Sequence, residues 1–376
     1  MELVELGTII KIEKGKKPVK QSPEAKEGYL PYVDIEAFES GTIKQYADGV
    51  KCTPCDDGDI LIVCDGSRSG LVGKAIKGYV GSTLAKITAP KLKKEYLYYF
   101  VQGKYALLNT RKKGTGTPHL NQELLKKQKL IVPSFEEQER IVSRIEELFS
   151  QLDDAVETLK KTKDQLAVYR QAVLKEAFEK EFEHTEVSKI CSVVRGGSPR
   201  PAGDKKYYDG HIPFLKVADL TNNDGMYLDS HTFTIKETGL KKTRQVPAGT
   251  LLLSNSGATL GVPKICTFET TFNDGIAAFV DFKKPAYLPF HYYFWLSKTA
   301  ELRAINQGAA QPNLNTGIIG NVLFPLCDYD VQKEIANEIE SRLSVCDSIE
   351  KTVEAALQQA EAMRQSILKS AFEGRL

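Results

Sequence analysis

The chain has 376 residues, of which 27% are charged and 41% hydrophobic, and its formal net charge is +2. These values are typical of a globular chain of about two to three domains. The first residues lack a basic segment followed by an apolar run, and no stretch approaches about 18 uninterrupted apolar residues, so neither export nor a membrane span is indicated and we expect a cytoplasmic protein. The seven cysteines, an odd number in a long chain, favour reduced thiols over a disulfide framework.

Residues 1–133 form the first predicted domain, which we call lobe 1. It opens with a lysine-rich turn, Lys14-Gly15-Lys16-Lys17-Pro18. Turns of this composition contact phosphate groups, so Lys16 and Lys17 are candidate binding residues. The alternative is an ordinary solvated surface.

A CxxC pair follows in lobe 1, at Cys52-Thr53-Pro54-Cys55, with Cys64 close enough in sequence to be a third ligand. A structural zinc site needs four ligands, however, and the redox motif needs a βαβ context. The second half of the chain has no equivalent pair. We therefore interpret the segment as a turn with two small apolar side chains, and we expect this chain to bind no metal and no cofactor.

Two polar loops complete lobe 1. The strand-like run at residues 59–63 leads into a glycine-rich loop, in which Ser67, Arg68 and Ser69 offer hydrogen bonds to phosphates or base edges. Taken alone, this loop could be an ordinary turn. The loop at residues 111–119 is a stronger candidate because it combines cations with hydroxyl groups, and its candidate contacts are Arg111, Lys112, Lys113, Thr115, Thr117 and His119.

Residues 134–183 are predicted as one long helix. It follows a strand-like run that ends in Pro133, and Ser134 with Glu137 forms a capping-box pair at its start. A helix of roughly 45 residues is about 65 to 70 Å long at 1.5 Å rise per residue. Alternating steps of four and three residues predict a coiled-coil seam of Ile141, Ile145, Leu148, Leu152, Ala155, Leu159, Thr162, Leu166, Tyr169 and Val173.

Residues 184–327 form the second predicted domain, lobe 2, whose polar loops follow in the same order as those of lobe 1. Its entrance turn offers Arg195, Ser198 and Arg200, and the loop after the strand-like run at 250–253 offers Asn255, Ser256 and Thr259. The loop at 306–313 offers carboxamides instead of cations: Asn306, Gln307, Gln311 and Asn313. Asn and Gln can pair bidentately with adenine, whereas Arg and Lys suit guanine.

Residues 328–376 repeat the long helix, so the chain is a tandem repeat with a shift of 194 residues. The segment 169–179 recurs without a gap as 363–373, and Tyr98-Tyr99-Phe100 recurs as Tyr292-Tyr293-Phe294. The second seam is weaker because it contains an arginine and small alanines, and it comprises Ile335, Ile339, Arg342, Cys346, Ile349, Val353, Ala356, Ala360, Met363 and Ile367.

Antiparallel packing of the two helices follows from the reach of the chain. A lobe of about 145 residues has a radius of gyration near 15 Å and cannot easily return the chain along a helix of about 65 Å. We therefore expect an antiparallel coiled coil with the lobes at opposite ends, related by a pseudo-twofold axis.

Charge is divided between the lobes and the helices. The lobes together carry +11 and the helices −9. This pattern indicates that the lobes contact a polyanion, whereas the helices face protein. The alternative is that glutamate merely solvates the helices and lysine the lobes.

Two variable lobes, each followed by a strand ending in proline, a helix start containing Gln138 or Gln332, and a repeated helix make the chain resemble the specificity subunit of a type I restriction-modification system. The resemblance implies an α+β fold in which each lobe is a target recognition domain that reads one half of a bipartite site in double-stranded DNA. It also implies two methyltransferase (modification) subunits beside the helices and lobes, and restriction subunits in the full complex. Those partners would bind S-adenosylmethionine, ATP and magnesium.

No catalytic residue is predicted. The chain lacks an Asn/Asp-Pro-Pro-Tyr/Phe segment and a methyl-donor fingerprint, and Gly73-Lys74 lacks the earlier glycine of a Walker A loop because Arg68 stands there. Two other classes of function are alternatives. One is a stand-alone DNA-binding or scaffold protein without methyltransferase partners, and the other is a single-chain restriction enzyme, for which Asp281-Phe282-Lys283 is a weak motif.

Overall fold

The computed structural model describes residues 2–114, 118–179, 181–305 and 313–376. Lobe 1 is built from short strands and short helices and is followed by a helix of 44 residues, α5. In chain order the strands are β1 (Glu2–Glu5), β2 (Lys11–Lys14), β3 (Gln21–Ser22), β4 (Leu30–Val33), β5 (Tyr46–Ala47), β6 (Pro54–Cys55), β7 (Ile60–Val63), β8 (Val72–Lys74), β9 (Gly78–Val80), β10 (Leu84–Thr88) and β11 (Lys129–Val132). The helices are α1 (Ile35–Ser40), α2 (Lys94–Gln102), α3 (Tyr105–Thr110), α4 (Gln122–Lys126) and α5 (Phe135–Phe178), with a 3-10 turn at Leu6–Thr8.

Lobe 2 has the same kinds of element and is followed by a second helix of 44 residues, α11. Its strands are β12 (Glu183–Glu186), β13 (Ser192–Arg195), β14 (Tyr208–Leu215), β15 (Tyr227–Leu228), β16 (Phe233–Ile235), β17 (Arg244–Val246), β18 (Thr250–Ser254), β19 (Pro263–Cys266), β20 (Thr270–Phe272), β21 (Ile276–Val280) and β22 (Leu323–Leu326). Its helices, with the one that follows, are α6 (Val187–Ile190), α7 (Val217–Thr221), α8 (Glu237–Leu240), α9 (Leu288–Ile305), α10 (Thr316–Gly320) and α11 (Tyr329–Phe372).

The chain divides into two compact units. Unit 1 contains residues 1–160 and 354–376, and unit 2 contains residues 161–353. Each unit therefore combines one lobe with the part of one long helix that is next to it in sequence and with a part of the other. The predicted domain boundaries, after residues 133, 183 and 327, divide the sequence by element type and stay a prediction.

Besides the two-stranded sheet β1-β11, unit 1 holds two larger sheets, and the side chains of β7 enter the apolar cores on both faces of one of them. One sheet has the antiparallel order β2-β10-β7-β8, and the other has the order β3-β5-β4-β9-β6, with β4 and β9 parallel. Successive side chains of a strand point to opposite faces. Accordingly Ile60 and Ile62 of β7 enter the apolar core that includes α2, whereas Leu61 and Val63 enter a second core with Val33 and Val80. An apolar run buried on both faces is the reason that this segment is a strand.

Unit 2 repeats this arrangement with other residues. Besides the two-stranded sheet β12-β22, its sheets have the orders β13-β21-β18-β19-β15 and β16-β14-β20-β17, with β14 and β20 parallel. In β18, Leu251 and Leu253 enter the core that includes α9, and Leu252 enters the core on the opposite face. The strand β18 therefore has the same role in unit 2 as β7 has in unit 1.

Within unit 1, the first part of α5 packs antiparallel to the last part of α11. Ile145 and Phe149 are buried with Leu368 and Ala371. Further along, Arg364 forms an ion pair with Asp153. The residue numbers rise along one helix as they fall along the other, which is the antiparallel order.

Within unit 2, the last part of α5 and the first part of α11 pack in the same way. Arg170 lies 2.7 Å from Asp347 and 2.9 Å from Glu350, and Arg342 lies 3.0 Å from Glu176. The pair Arg170–Asp347 is the repeat equivalent of Arg364–Asp153 in unit 1, because both residues are shifted by 194 positions.

The buried stripe of the helices differs in part from the predicted seam. Tyr169, Ile349 and Met363 were predicted to be buried, but they are 43%, 40% and 47% exposed. The lobes widen the buried face at the helix ends, since lobe cores take in residues that a strict heptad omits. These additional buried residues are Val142, Phe149, Leu174, Ala177, Ala336, Leu368 and Ala371.

One buried glutamine joins each lobe to the start of a long helix. Gln138 Oε1 accepts from the Lys93 backbone N–H at 2.8 Å, and Gln332 Oε1 accepts from the Tyr287 N–H at 2.9 Å. Because a buried amide needs partners for all its polar atoms, this glutamine fixes the direction in which each helix leaves its lobe. Within the described ranges, no helix is both long and apolar enough to cross a membrane.

Candidate nucleic-acid interface

The two predicted polar loops of lobe 1 are brought together beside the end of β7. The Gly66 N–H donates to the Pro118 carbonyl at 2.8 Å, and the Leu120 N–H donates to the Cys64 carbonyl at 2.7 Å. Lys112 Nζ also donates to the Ser67 carbonyl at 2.8 Å. The loops at 65–70 and 111–119, which are more than 40 residues apart in sequence, therefore form one surface.

Asp65 joins this surface to the entrance turn. Its carboxylate accepts from Lys14 Nζ at 2.9 Å and contacts His119 Nδ1 at 2.7 Å. Partial burial alone would raise the pKa of Asp65, but the hydrogen bonds with Lys14 and His119 outweigh burial and lower this pKa below its usual 3.8. At neutral pH the carboxylate is thus ionised and holds the two basic side chains in place.

The basic residues of lobe 1 differ in whether they form ion pairs within the protein. Arg68 is paired with Glu39 of α1, at 2.5 and 2.7 Å. In contrast, Lys16, Lys17, Arg111 and Lys113 are exposed, and among the described residues none of these four lies in an ion pair with a carboxylate. Among the predicted contact residues of lobe 1, these four cations can meet an external anion without first breaking an internal ion pair.

Asp274 organises the corresponding surface of lobe 2. Its backbone carbonyl accepts from Arg195 Nε at 2.5 Å, and its carboxylate accepts from Ser198 Oγ at 2.6 Å and lies 3.9 Å from Arg200. The hydrogen bond from Ser198 lowers the pKa of Asp274 below its usual 3.8. Three predicted contact residues of lobe 2 are therefore gathered around Asp274, Arg195 at its backbone carbonyl and Ser198 and Arg200 at its carboxylate.

The loop after β18 reaches the same surface. The Asn255 N–H donates to the Gly275 carbonyl at 2.9 Å, and the Leu314 N–H donates to the Asn255 carbonyl at 2.7 Å. Ser256 and Asn313 form an isolated antiparallel bridge. The repeat equivalents in lobe 1, Asp65 and His119, form the same bridge. The two surfaces therefore have the same backbone arrangement at this point.

Close backbone contact at a glycine supports both surfaces. A Cβ atom on Gly15 would overlap the backbone oxygens of Val80 and Gly81, and one on Gly196 would overlap those of Phe272 and Asn273. Each entrance turn can lie against its sheet only because the residue at this position is glycine, which has no side chain. Gly15 and Gly196 therefore have equivalent surroundings in the two lobes.

Two predicted contact residues need correction. Ser69 is 0% exposed, and its hydroxyl donates to the Gly66 carbonyl at 2.7 Å, so it stabilises the loop from inside. Asn255 is also 0% exposed, and its side-chain nitrogen and oxygen have no hydrogen-bond partner among the described residues. Neither side chain can reach a ligand in this conformation, because the loop backbone covers both.

The other predicted contacts of the two surfaces stay predictions. Ser67 and Thr259 are exposed, and Ser256 is partly exposed. The positions Thr115, Thr117, Asn306, Gln307 and Gln311 lie outside the described residues.

The sequence analysis missed the residues that hold the loops together. Lys14, Asp65 and Asp274 were not singled out as functional, although each stands beside residues that were. A signal existed for Asp274, because Asn273-Asp274-Gly275 is a turn sequence at the position of Gly81-Ser82-Thr83 in the repeat.

The cysteines do not form a ligand cluster in the described part of the chain. No group of three or more His, Cys, Asp or Glu side chains is positioned there to hold a metal ion. Cys55 and Cys64 are buried, and burial raises the pKa of each thiol to about 11. Both thiols are protonated at neutral pH and contribute to the apolar core of lobe 1.

Comparison with known proteins agrees with this architecture. The chain is 25% identical to the MjaVIII type I restriction enzyme specificity subunit of Methanocaldococcus jannaschii, over 100% of this chain and 92% of that protein. It is 26% identical to the EcoBI type I restriction enzyme specificity subunit of Escherichia coli, over 85% of this chain and 73% of that protein.

Solved structures share the fold. One, from a study of complex assembly and conformational transition of the type I R-M system, has a TM-score of 0.78 at 18% identity and covers 100% of this chain and 98% of that one. The HsdS subunit of Thermoanaerobacter tengcongensis has a TM-score of 0.63 at 19% identity and covers 100% and 97%. The family model of the type I restriction modification DNA specificity domain matches residues 1–167 and 179–359. The chain therefore belongs to the family of type I restriction-modification specificity subunits.

Proposed function

We propose that this chain is the non-catalytic specificity subunit of a type I restriction-modification complex and that each lobe reads one half of a bipartite site in double-stranded DNA. The observation that carries the proposal is the family match over both repeats, combined with a polar loop surface at the same place in each lobe. Two lobes with the same backbone arrangement but different side chains are suited to recognising two different DNA sequences.

The charges support a division of labour. The basic lobes are suited to DNA, and Lys16, Lys17, Arg111 and Lys113 are suited to its phosphates, which position a protein without specifying sequence. The acidic helices, proposed to form an antiparallel coiled coil, would space the lobes and dock two methyltransferase subunits. Restriction subunits would join the full complex, and the cofactors of methylation and cleavage would be bound by those partners.

Methylation mapping tests this function directly. Genome-wide methylation would be compared between cells that express the neighbouring methyltransferase subunit with this chain and cells that express the methyltransferase subunit alone. We expect a methylated split motif, with half-sites on the order of one helical turn apart, that depends on this chain. A continuous short motif would contradict the two-reader arrangement.

The alternative is a stand-alone DNA-binding or scaffold protein without methyltransferase partners. It would be favoured if an active methyltransferase subunit gave the same methylation with and without this chain. It accounts for the basic lobes equally well, but it gives the acidic helices no partner.

A further inference from the structure

Each lobe contains a cavity at the same place in its fold. Cavity 1, of about 350 Å³, is lined in lobe 1 by Tyr32, Asp34, Glu36, Arg68, Ser82 and Thr83. Cavity 2, of about 370 Å³, is lined in lobe 2 by Arg200, Phe214, Lys216, Phe233, Asn273 and Asp274. Each is comparable to the lower end of small-molecule site volumes, so it is large enough for the edge of a nucleobase.

The strand register shows that the two cavities are equivalent. In lobe 1, β4 pairs in parallel with β9, with Val33 opposite Val80; in lobe 2, β14 pairs in parallel with β20, with Leu215 opposite Phe272. The residue that follows each second strand donates back in the same way, since the Gly81 N–H bonds to Val33 and the Asn273 N–H bonds to Leu215.

This register aligns the cavity walls residue by residue. Tyr32 corresponds to Phe214, Asp34 to Lys216, and Ser82 to Asp274. The first pair is aromatic in both lobes and forms a common wall. The other two pairs differ in charge, so an acidic residue of one lobe stands where the other lobe has a basic or a neutral one.

The differing side chains are held in fixed positions. Asp34 Oδ1 accepts from the Ala37 N–H at 2.9 Å, which fixes its carboxylate at the wall of cavity 1. Lys216 Nζ lies 3.3 Å from the centroid of the Phe233 ring, a cation–π contact that fixes the ammonium group at the wall of cavity 2. A preorganised polar group discriminates between ligands better than a mobile one.

Both cavities adjoin the candidate interface. Thr83, in cavity 1, accepts through its carbonyl from the Cys64 N–H at 2.8 Å and thus touches the base of the loop at 65–70. In cavity 2, Asp274 contacts Ser198 and Arg200 through its carboxylate and Arg195 through its backbone carbonyl. The cavities are therefore continuous with the surfaces assigned to DNA.

We propose that cavity 1 and cavity 2 are the base-reading sites of the two lobes, each receiving the groove edge of one base of its half-site. Lys216 donates to O6 or N7 of a guanine in cavity 2, and Asp34 accepts from the exocyclic amino group of a cytosine or an adenine in cavity 1. The inference rests on the proposed function. It adds that Asp34 and Lys216 determine specificity, whereas the exposed lysines of the loops contribute affinity.

The test compares base preferences of complexes assembled from the methyltransferase subunit and the full chain, using a DNA library randomised across the half-sites. Lys216→Met removes the ammonium group but keeps an unbranched side chain over Phe233. Asp34→Ser removes the carboxylate but keeps an oxygen that can cap α1. Lys189→Ala is the matched control, because it removes one positive charge from lobe 2 at a surface ion pair outside the cavity.

We expect Lys216→Met to lower discrimination at one position of one half-site by roughly tenfold or more, and Asp34→Ser to do so in the other half-site only. Lys189→Ala should leave every preference unchanged. Correct folding would be shown by native Trp295 emission for Lys216→Met and by wild-type hydrogen exchange of β4 and β9 for Asp34→Ser. Wild-type preferences in both folded variants would overturn the inference while leaving the proposed function intact. If the wild-type complex itself showed no split motif, the proposed function would fail as well.

Discussion

Lobe 1 and lobe 2 share a backbone design but differ in the chemistry of the side chains that it presents. The entrance glycine, the strand buried on both faces, the bridge between the loops and the buried glutamine occur in both lobes. The polar residues that these features position are different, as Asp34 and Lys216 show. Stability therefore depends on the common residues, and under the proposed function the specificity of each lobe can change at the others.

The similarity of the segments at 169–179 and 363–373 is explained by the way each one packs against a lobe. Phe372 packs edge-on against Tyr96 and Phe100 of lobe 1, with ring centroids 5.0 and 5.2 Å apart. Its repeat equivalent, Phe178, packs against Phe290 and Phe294 of lobe 2, at 5.3 and 5.6 Å. In each unit the end of one long helix fills the core of a lobe, so both copies of the segment face the same packing requirement.

The largest expected effect breaks a feature that the lobes share. Gly15→Ala and Gly196→Ala should each destabilise their own lobe by about 3 kcal/mol, because the added Cβ overlaps backbone oxygens that cannot move without displacing a strand. Urea unfolding followed by Trp295 emission reports lobe 2, and hydrogen exchange of β2 and β10 reports lobe 1.

The control is Gly28→Ala, whose Cβ would meet no atom within 4 Å although its φ is +76°. It should cost about 1 to 2 kcal/mol of backbone strain. An effect of Gly15→Ala no larger than that of Gly28→Ala would contradict the close packing at the entrance turn.

A smaller effect should distinguish the two glutamine anchors. Gln138 also donates to the Lys91 and Pro133 carbonyls, at 3.2 and 3.0 Å, whereas Gln332 donates only to the Cys327 carbonyl among the described residues. We expect Gln138→Leu to cost about 2 to 3 kcal/mol and Gln332→Leu about 1 to 2 kcal/mol, since each leaves buried backbone groups unpaired.

Chemical denaturation of both variants measures this difference. The exposed Gln151→Leu on α5 serves as the control and should change stability by no more than about 0.5 kcal/mol. Equal losses for Gln138→Leu and Gln332→Leu would show that the additional hydrogen bonds of Gln138 contribute nothing.

The smallest expected effect comes from a residue that differs between the core of lobe 1 and the core of lobe 2, and it changes stability only as the pH falls below neutral. His291 of α9 is 4% exposed and stacks on Phe324 at 4.4 Å, whereas its repeat equivalent in lobe 1 is Leu97. Burial lowers the pKa of His291 from 6.5 to about 3. The unfolded chain therefore binds a proton below pH 6.5 that the folded lobe 2 does not, and stability falls as pH decreases from 6.5 toward 3.

This linkage should cost lobe 2 about 2 kcal/mol at pH 5 relative to pH 7. His291→Leu should remove that loss, as measured by Trp295-detected unfolding at the two pH values. The exposed His184→Leu should leave it in place. An unchanged loss in His291→Leu would mean that another group causes the acid sensitivity.

Part of the interface could be predicted from sequence, and part could not. Lys16, Lys17, Arg111 and Lys113 were predicted as contacts because cations in glycine- and proline-containing turns have a local signature. All four are exposed, and their contact with DNA stays a prediction. Ser69 and Asn255 were wrongly predicted to be contact residues. Whether a given loop residue is buried or exposed depends on how the backbone of a second loop, distant in sequence, covers it. Asp274 was missed because its partners Arg195 and Ser198 are more than 70 residues away in sequence.

The sequence by itself determined the tandem repeat, the two long helices, the division of charge and the order of the polar loops. These are properties of local composition and of periodicity along the chain, and they persist whatever the distant residues do. Only the tertiary structure decided which helix residues are buried beside the lobes, and that Asp34 and Lys216 occupy equivalent cavity walls. Burial and equivalence of this kind depend on strand register and on contacts between distant segments, which no local pattern encodes.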